Sequence, residues 1–194
     1  MSSEEIIFLC VITLTSIFGS SFLIRDILSG KTRLNLVTWF FWALAPLVGV
    51  FFQVKAGAGL SALPVFFAGF FPVVIFILAL SKHRSYWKIS KFDIFCGIFS
   101  LLALITYVLT RRTDISIIFA ILADTLAAVP TLIKSWKFPE TETTIGYVPG
   151  IFNNALGLFM IKNWTFSIYS LNIYFIVLNI TLVTFLLRKK IFKS

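Results

Sequence analysis

From Phe92 to Thr110 the chain carries one charged side chain, Asp93, close to its start. Stretches of this kind recur along the sequence, separated by short gaps in which Lys and Arg gather. A helix needs roughly 20 apolar residues to cross the hydrocarbon core of a bilayer, and each stretch is close to that length. Strands of a membrane barrel would alternate apolar and polar over about 10 residues; these runs do not alternate. Helices that satisfy their own backbone hydrogen bonds fit the pattern. Composition agrees: 59% of residues are hydrophobic, 13% are charged and the mean hydropathy is +0.97. A soluble domain carries about 25% charged residues, so this chain lacks the charge to coat a water-soluble globule. The fold class expected is an all-α membrane protein.

Seven runs can be marked, at about 5–24, 34–54, 60–81, 93–110, 114–135, 143–161 and 165–187. The N-terminus, Met1-Ser2-Ser3-Glu4-Glu5, is acidic. A signal peptide carries a positive n-region, so the first run reads as a retained span. Lys and Arg divide unevenly between alternate gaps. Thirteen of the 17 fall in the set holding Arg25, Lys31, Arg33, Lys82, Arg84, Lys88, Lys91, Lys134, Lys137, Arg188, Lys189, Lys190 and Lys193; Lys55, Arg111, Arg112 and Lys162 make up the other. The positive-inside rule then gives an odd number of spans, with the N-terminus outside and the C-terminus in the cytoplasm. A multi-pass protein of the plasma membrane is expected.

The net charge of +9 and pI near 9.8 do not point to nucleic acid, because the basic residues flank apolar runs and form no stripe on a soluble helix. The bilayer is the expected partner. His83 is the single histidine and lies in a basic gap; Cys10 and Cys96 sit inside apolar runs with no CxxC spacing. Neither a metal site nor a disulfide is expected from this supply, and no cofactor motif is present. HExxH, GxSxG and paired intramembrane aspartates are missing too, so an enzyme is not expected.

The chain also repeats itself. Ser21-Phe22-Leu23-Ile24-Arg25 matches Pro130-Thr131-Leu132-Ile133-Lys134 at an offset of 109. Val37-Thr38-Trp39 matches Ile145-Gly146-Tyr147, and Leu47-Val48-Gly49-Val50-Phe51 matches Ala155-Leu156-Gly157-Leu158-Phe159, both at 108. Three spans precede the break and three follow it, with the fourth left as a connector. The layout expected is two parallel three-helix bundles joined by a linker helix (3+1+3): residues 1–91, the linker 92–112, and 113–194. Parallel repeats about an axis along the membrane normal are one transporter plan, with the site near mid-membrane between the halves.

Ala127-Ala128-Val129-Pro130-Thr131-Leu132-Ile133-Lys134-Ser135 resembles the motif of the PQ-loop family, which includes the SWEET and SemiSWEET sugar transporters. A proline near the cytoplasmic end of the first helix of a unit, then a basic loop and an aromatic-rich second helix, is that family's pattern. Thr131 stands where the family has glutamine, and the first unit has Ser21-Phe22 at the corresponding place. Vitamin transporters of the PnuC type have a similar layout. The resemblance implies a small-solute transporter or facilitator working by alternating access, on a sugar or vitamin-like substrate. It also implies a substrate role for Asn179 and a part for helix prolines in the rocking motion, here Pro46, Pro130 and Pro149. A receptor or assembly protein on the same fold is the alternative.

Four further residues stand out on their own chemistry. Asp124 lies near the middle of the fifth run, where a charge costs about 2.5–3.5 kcal/mol even on the lenient insertion scale. It reads either as a substrate or coupling site, or as a protonated acid bonded to a neighbouring helix. Ala120, Ala127, Ala128 and Thr131 share its side at helical spacing and suit a cavity or close packing. Asn153 and Asn154 sit mid-run in the sixth stretch, about 100° apart on a helix, with Gly146, Gly150 and Gly157 nearby. Trp42 lies mid-run in the second stretch, where an indole N–H needs a partner or a cavity. Trp39 reads as an interfacial belt residue, and Gln53 as part of the outer loop. The expected substrate site is Trp42, Asp124, Asn153, Asn154 and Asn179.

Overall fold

Three helix starts are capped by side chains. Ser2 accepts from the Glu5 amide while Glu5 reaches back to the Ser2 amide, and Ser90 and Asp93 do the same. Asn35 accepts from the Thr38 amide. Each cap satisfies N–H groups that the helix itself leaves open. The helix ends at Ser29 and Ala56 are followed by Gly30 and Gly57 at φ 76° and 90°, the left-handed position that glycine fills without strain.

The computed structural model describes residues 2–82, 88–110 and 112–191. Among them the chain forms seven α-helices: α1 (Ser3–Leu28), α2 (Leu36–Lys55), α3 (Leu63–Lys82), α4 (Lys91–Leu109), α5 (Thr113–Lys137), α6 (Val148–Phe159) and α7 (Phe166–Ile191). His83 and Arg84 of the basic gap, Arg111, and Lys193 at the C-terminus lie outside the described residues. α1, α2, α5, α7 and α3 together with its leading 3₁₀ turn are long and apolar enough to cross a membrane. The outward face carries large apolar side chains, among them Ile7, Leu14, Phe18, Phe51, Ile77, Phe95, Leu102, Val108 and Val177, as expected of a multi-pass membrane protein.

The sixth run departs from expectation. In place of one helix over 143–161, 3₁₀ turns at Pro139–Thr141 and Thr144–Gly146 lead into a 12-residue α6, about 18 Å long. Glu142 and Thr143 are buried between those turns in a polar cluster, which holds their backbone out of helical register. Pro149 then sits in the first turn of α6, where its missing N–H costs nothing. By contrast Pro46, Pro72 and Pro130 lie inside α2, α3 and α5.

α3 packs on both α1 and α2, and α7 packs on both α5 and α6. α2 lies along α5, α1 along α6, and α3 also meets α6 and α7; α4 lies against α5 and α2. Ala120, Ala123, Ala127 and Ala128 of α5 are all fully buried, and at Ala127 α5 meets α2. Thr38 donates to the Ala127 carbonyl at 2.6 Å and accepts from Thr131 at 3.0 Å. The small residues beside Asp124 therefore serve close helix packing.

Candidate functional site

Between the helices lies a partly open cavity of about 120 Å³, room for several waters at the ~10–15 Å³ each needs. Its wall comes from α1 (Ser16, Gly19, Ser20), α2 (Trp39, Trp42), α3 (Phe67, Phe71, Pro72), α6 and its lead-in (Tyr147, Asn153, Asn154), and α7 (Phe175, Asn179). Four of the five expected residues are thus brought together: Trp42, Asn153, Asn154 and Asn179. Asp124 is not in the wall.

Asp124 lies on the far side of Trp42, 1% exposed, and accepts from the Tyr174 hydroxyl at 2.8 Å. The Trp42 indole is the other neighbour of this carboxyl, outside hydrogen-bonding geometry. The acid therefore ties α5 to α7 and backs the aromatic wall.

Asn153 is turned to α1. The Thr15 hydroxyl donates to its Oδ1 at 2.6 Å, and its Nδ2 donates to Ser16 Oγ at 2.8 Å. Asn154 and Asn179 each donate Nδ2 to the carbonyl four residues earlier, Gly150 at 2.8 Å and Phe175 at 2.7 Å. Gly150 makes room for Asn179, whose side-chain atoms stand 2.7–2.9 Å from where a Cβ would be. Gly157 does the same for Asn172, at 2.5 Å.

Trp39 is not an interfacial residue. It is 3% exposed, lines the cavity and meets Trp42 edge-on, with ring centroids 5.6 Å apart. Tyr147, which the sequence reading used only to align the repeat, completes this aromatic corner 6.3 Å from Trp42. Its burial without hydropathic periodicity left no signal beyond the match to Trp39.

Polar ties lie beyond the cavity on two sides. At the basic end, the Tyr147 hydroxyl donates to Glu142 at 3.0 Å, and Glu142 pairs with Lys134 at 2.5 Å. Lys134 also donates to the Arg33 carbonyl, and the Arg33 amide donates to the Thr141 carbonyl at 3.0 Å. Thr143 bonds Thr32 and donates to Asp26 at 3.0 Å; Asp26 in turn pairs with Lys31 at 3.1 Å. At the opposite end Gln53 belongs to α2, fully buried, rather than to a loop. Its Nε2 donates to the Ile168 carbonyl at 2.8 Å and to Asn172 Oδ1 at 3.1 Å, and Asn172 Nδ2 donates to the Ser61 carbonyl at 3.2 Å.

In comparisons with known proteins, no family model, no curated protein and no solved structure matches this chain.

Proposed function

We propose that the chain is a small-solute transporter or facilitator of the PQ-loop and SWEET type. Two parallel three-helix units, α1–α3 and α5–α7, joined by α4, would rock about the cavity to open it to each side in turn. The basic end would face the cytoplasm. The observation that carries this reading is the cavity itself: it is lined by α1–α3 on one side and by α6 and α7 on the other, and polar ties beyond it join the same segments.

The helix contacts support a duplicated architecture. Exchanging α1 with α5, α2 with α6 and α3 with α7 turns each contact into another that exists: α1–α3 into α5–α7, α2–α3 into α6–α7, α1–α6 into α2–α5, and α3–α6 into α2–α7. α3–α7 maps onto itself, and α4 is left without a counterpart. Trp39 and Tyr147, mates at the 108-residue offset, both line the cavity.

The test is counterflow into liposomes holding the purified protein, with sugars, nucleosides and uncharged vitamins as solutes. The reading expects saturable uptake of at least one, lost in Asn154→Ala with protein levels intact. Uptake equal to that of empty liposomes for every solute contradicts it.

A further inference from the structure

We infer that the solute held in this cavity is small, flat and uncharged, and that it supplies N–H or O–H donors; it is neither an anion nor a polyol. The inference rests on the cavity being a solute site.

The wall has no Asp, Glu, Lys, Arg or His among the described residues. The two acids nearest to it are occupied elsewhere: Asp124 behind Trp42 with Tyr174, and Glu142 beyond the Tyr147 hydroxyl with Lys134. A charged solute would shed its water against a wall with no counter-charge, which costs several kcal/mol per ion.

The hydrogen-bonding groups of the wall are largely spent. Both ends of the Asn153 carboxamide are used by Thr15 and Ser16, and the Tyr147 hydroxyl by Glu142. The Nδ2 groups of Asn154 and Asn179 are held by carbonyls of their own helices. A carbonyl can only accept, so these bonds fix which way round each amide sits. What remains of the carboxamides is the pair of oxygens, on α6 and α7, both acceptors. Asn154 Oδ1 is buried with no partner among the described residues, a state that costs about 1–3 kcal/mol and that a solute N–H or O–H would relieve. Against these acceptors the hydroxyls of Ser16 and Ser20 are left to donate, and the indole N–H groups of Trp39 and Trp42 are buried with no hydrogen-bond partner among the described residues. A hexose, with a hydroxyl on nearly every carbon, would leave most of its O–H donors without an acceptor here.

The rest of the wall is ring and alkyl surface. Trp39, Trp42, Tyr147, Phe67, Phe71 and Phe175 present flat apolar faces, and a planar ring buries its own face against them best. A ring bearing a primary amide or an exocyclic amine combines that face with donors aimed at the two oxygens.

Binding to the full chain in detergent, followed by tryptophan fluorescence, separates the classes with four matched probes. Benzamide is flat and uncharged with N–H donors, benzoate is an anionic analogue of similar shape, benzylammonium a cationic one, and glucose a polyol. Benzamide is expected to give a saturable change, with the other three at least about tenfold weaker. Asn154→Leu and Asn179→Leu are each expected to weaken benzamide by about fivefold or more. Benzoate, benzylammonium or glucose binding as well as benzamide overturns the inference and leaves the transporter reading standing. Benzamide binding undiminished in both variants overturns it too, since the probe then sits elsewhere. If no probe binds, the inference falls; the transporter reading falls with it only if counterflow is also silent for every solute.

Discussion

Lys134 of α5 and Glu142 of the following segment form an ion pair at 2.5 Å, with side chains 1% and 0% exposed. Neither is isolated. Glu142 accepts from Tyr147, a cavity residue, and Lys134 donates to the Arg33 carbonyl between α1 and α2. The pair therefore connects the aromatic corner of the cavity to the α1–α2 connection at the basic end.

Removing one partner of this pair strands the other in a low-dielectric site. Lys134→Met is expected to cost about 3–5 kcal/mol, read as a lower thermal midpoint in detergent. Lys134→Met with Glu142→Gln together should recover part of that loss, because neither charge is then left alone. Equal midpoints for the single and double variants would show that the two side chains are not coupled.

Asp124 and Tyr174 should behave as a structural couple. Tyr174→Phe removes the hydrogen bond to the buried carboxyl and is expected to cost about 1–3 kcal/mol. Asp124→Asn keeps an acceptor in place and should cost less, with solute uptake retained. A double-mutant cycle with Asp124→Leu should return a coupling of about 0.5–3 kcal/mol. Loss of uptake in a well-folded Asp124→Asn protein would move this acid from the scaffold to the transport chemistry.

Gly19 lets α1 and α6 touch. A Cβ there would stand 2.5 Å from Cγ of Pro149, a ring with little freedom to yield. Gly19→Ala is expected to destabilise by about 1–3 kcal/mol, whereas Ala at Ser21, exposed on the same helix, should change the midpoint little. Comparable effects at the two positions would contradict the close approach.

Much of the architecture was legible in the residues. Run length and hydropathy marked the helices, whereas the caps at Ser2, Asn35 and Ser90 emerge only in the structure. The sixth run was misread because hydropathy counts Pro149 and the glycines as neutral, whereas buried Glu142 and Thr143 fix the chain before α6. Asp124 stands out in the sequence by its depth, but depth does not say which way a side chain points; its carboxyl meets Tyr174 of α7 and Trp42. Trp39 and Gln53 were assigned to the membrane boundary by position along their run. Their burial follows from packing against segments more than 100 residues later in the chain, such as α7 at Gln53, which one sequence does not carry.

The central claim is that the cavity is a passage whose two ends open separately. A chain with Cys10 and Cys96 replaced by Ala and a single cysteine at Ser20, a cavity residue, reports this through a membrane-impermeant thiol reagent applied from either side of a proteoliposome. Weakening the basic end with Lys134→Met and Glu142→Gln should expose the cysteine from that side alone. Weakening the opposite end with Gln53→Leu, which removes the bonds to Ile168 and Asn172, should expose it from the other side alone. A cysteine that stays unreactive from both sides in both backgrounds would contradict the account.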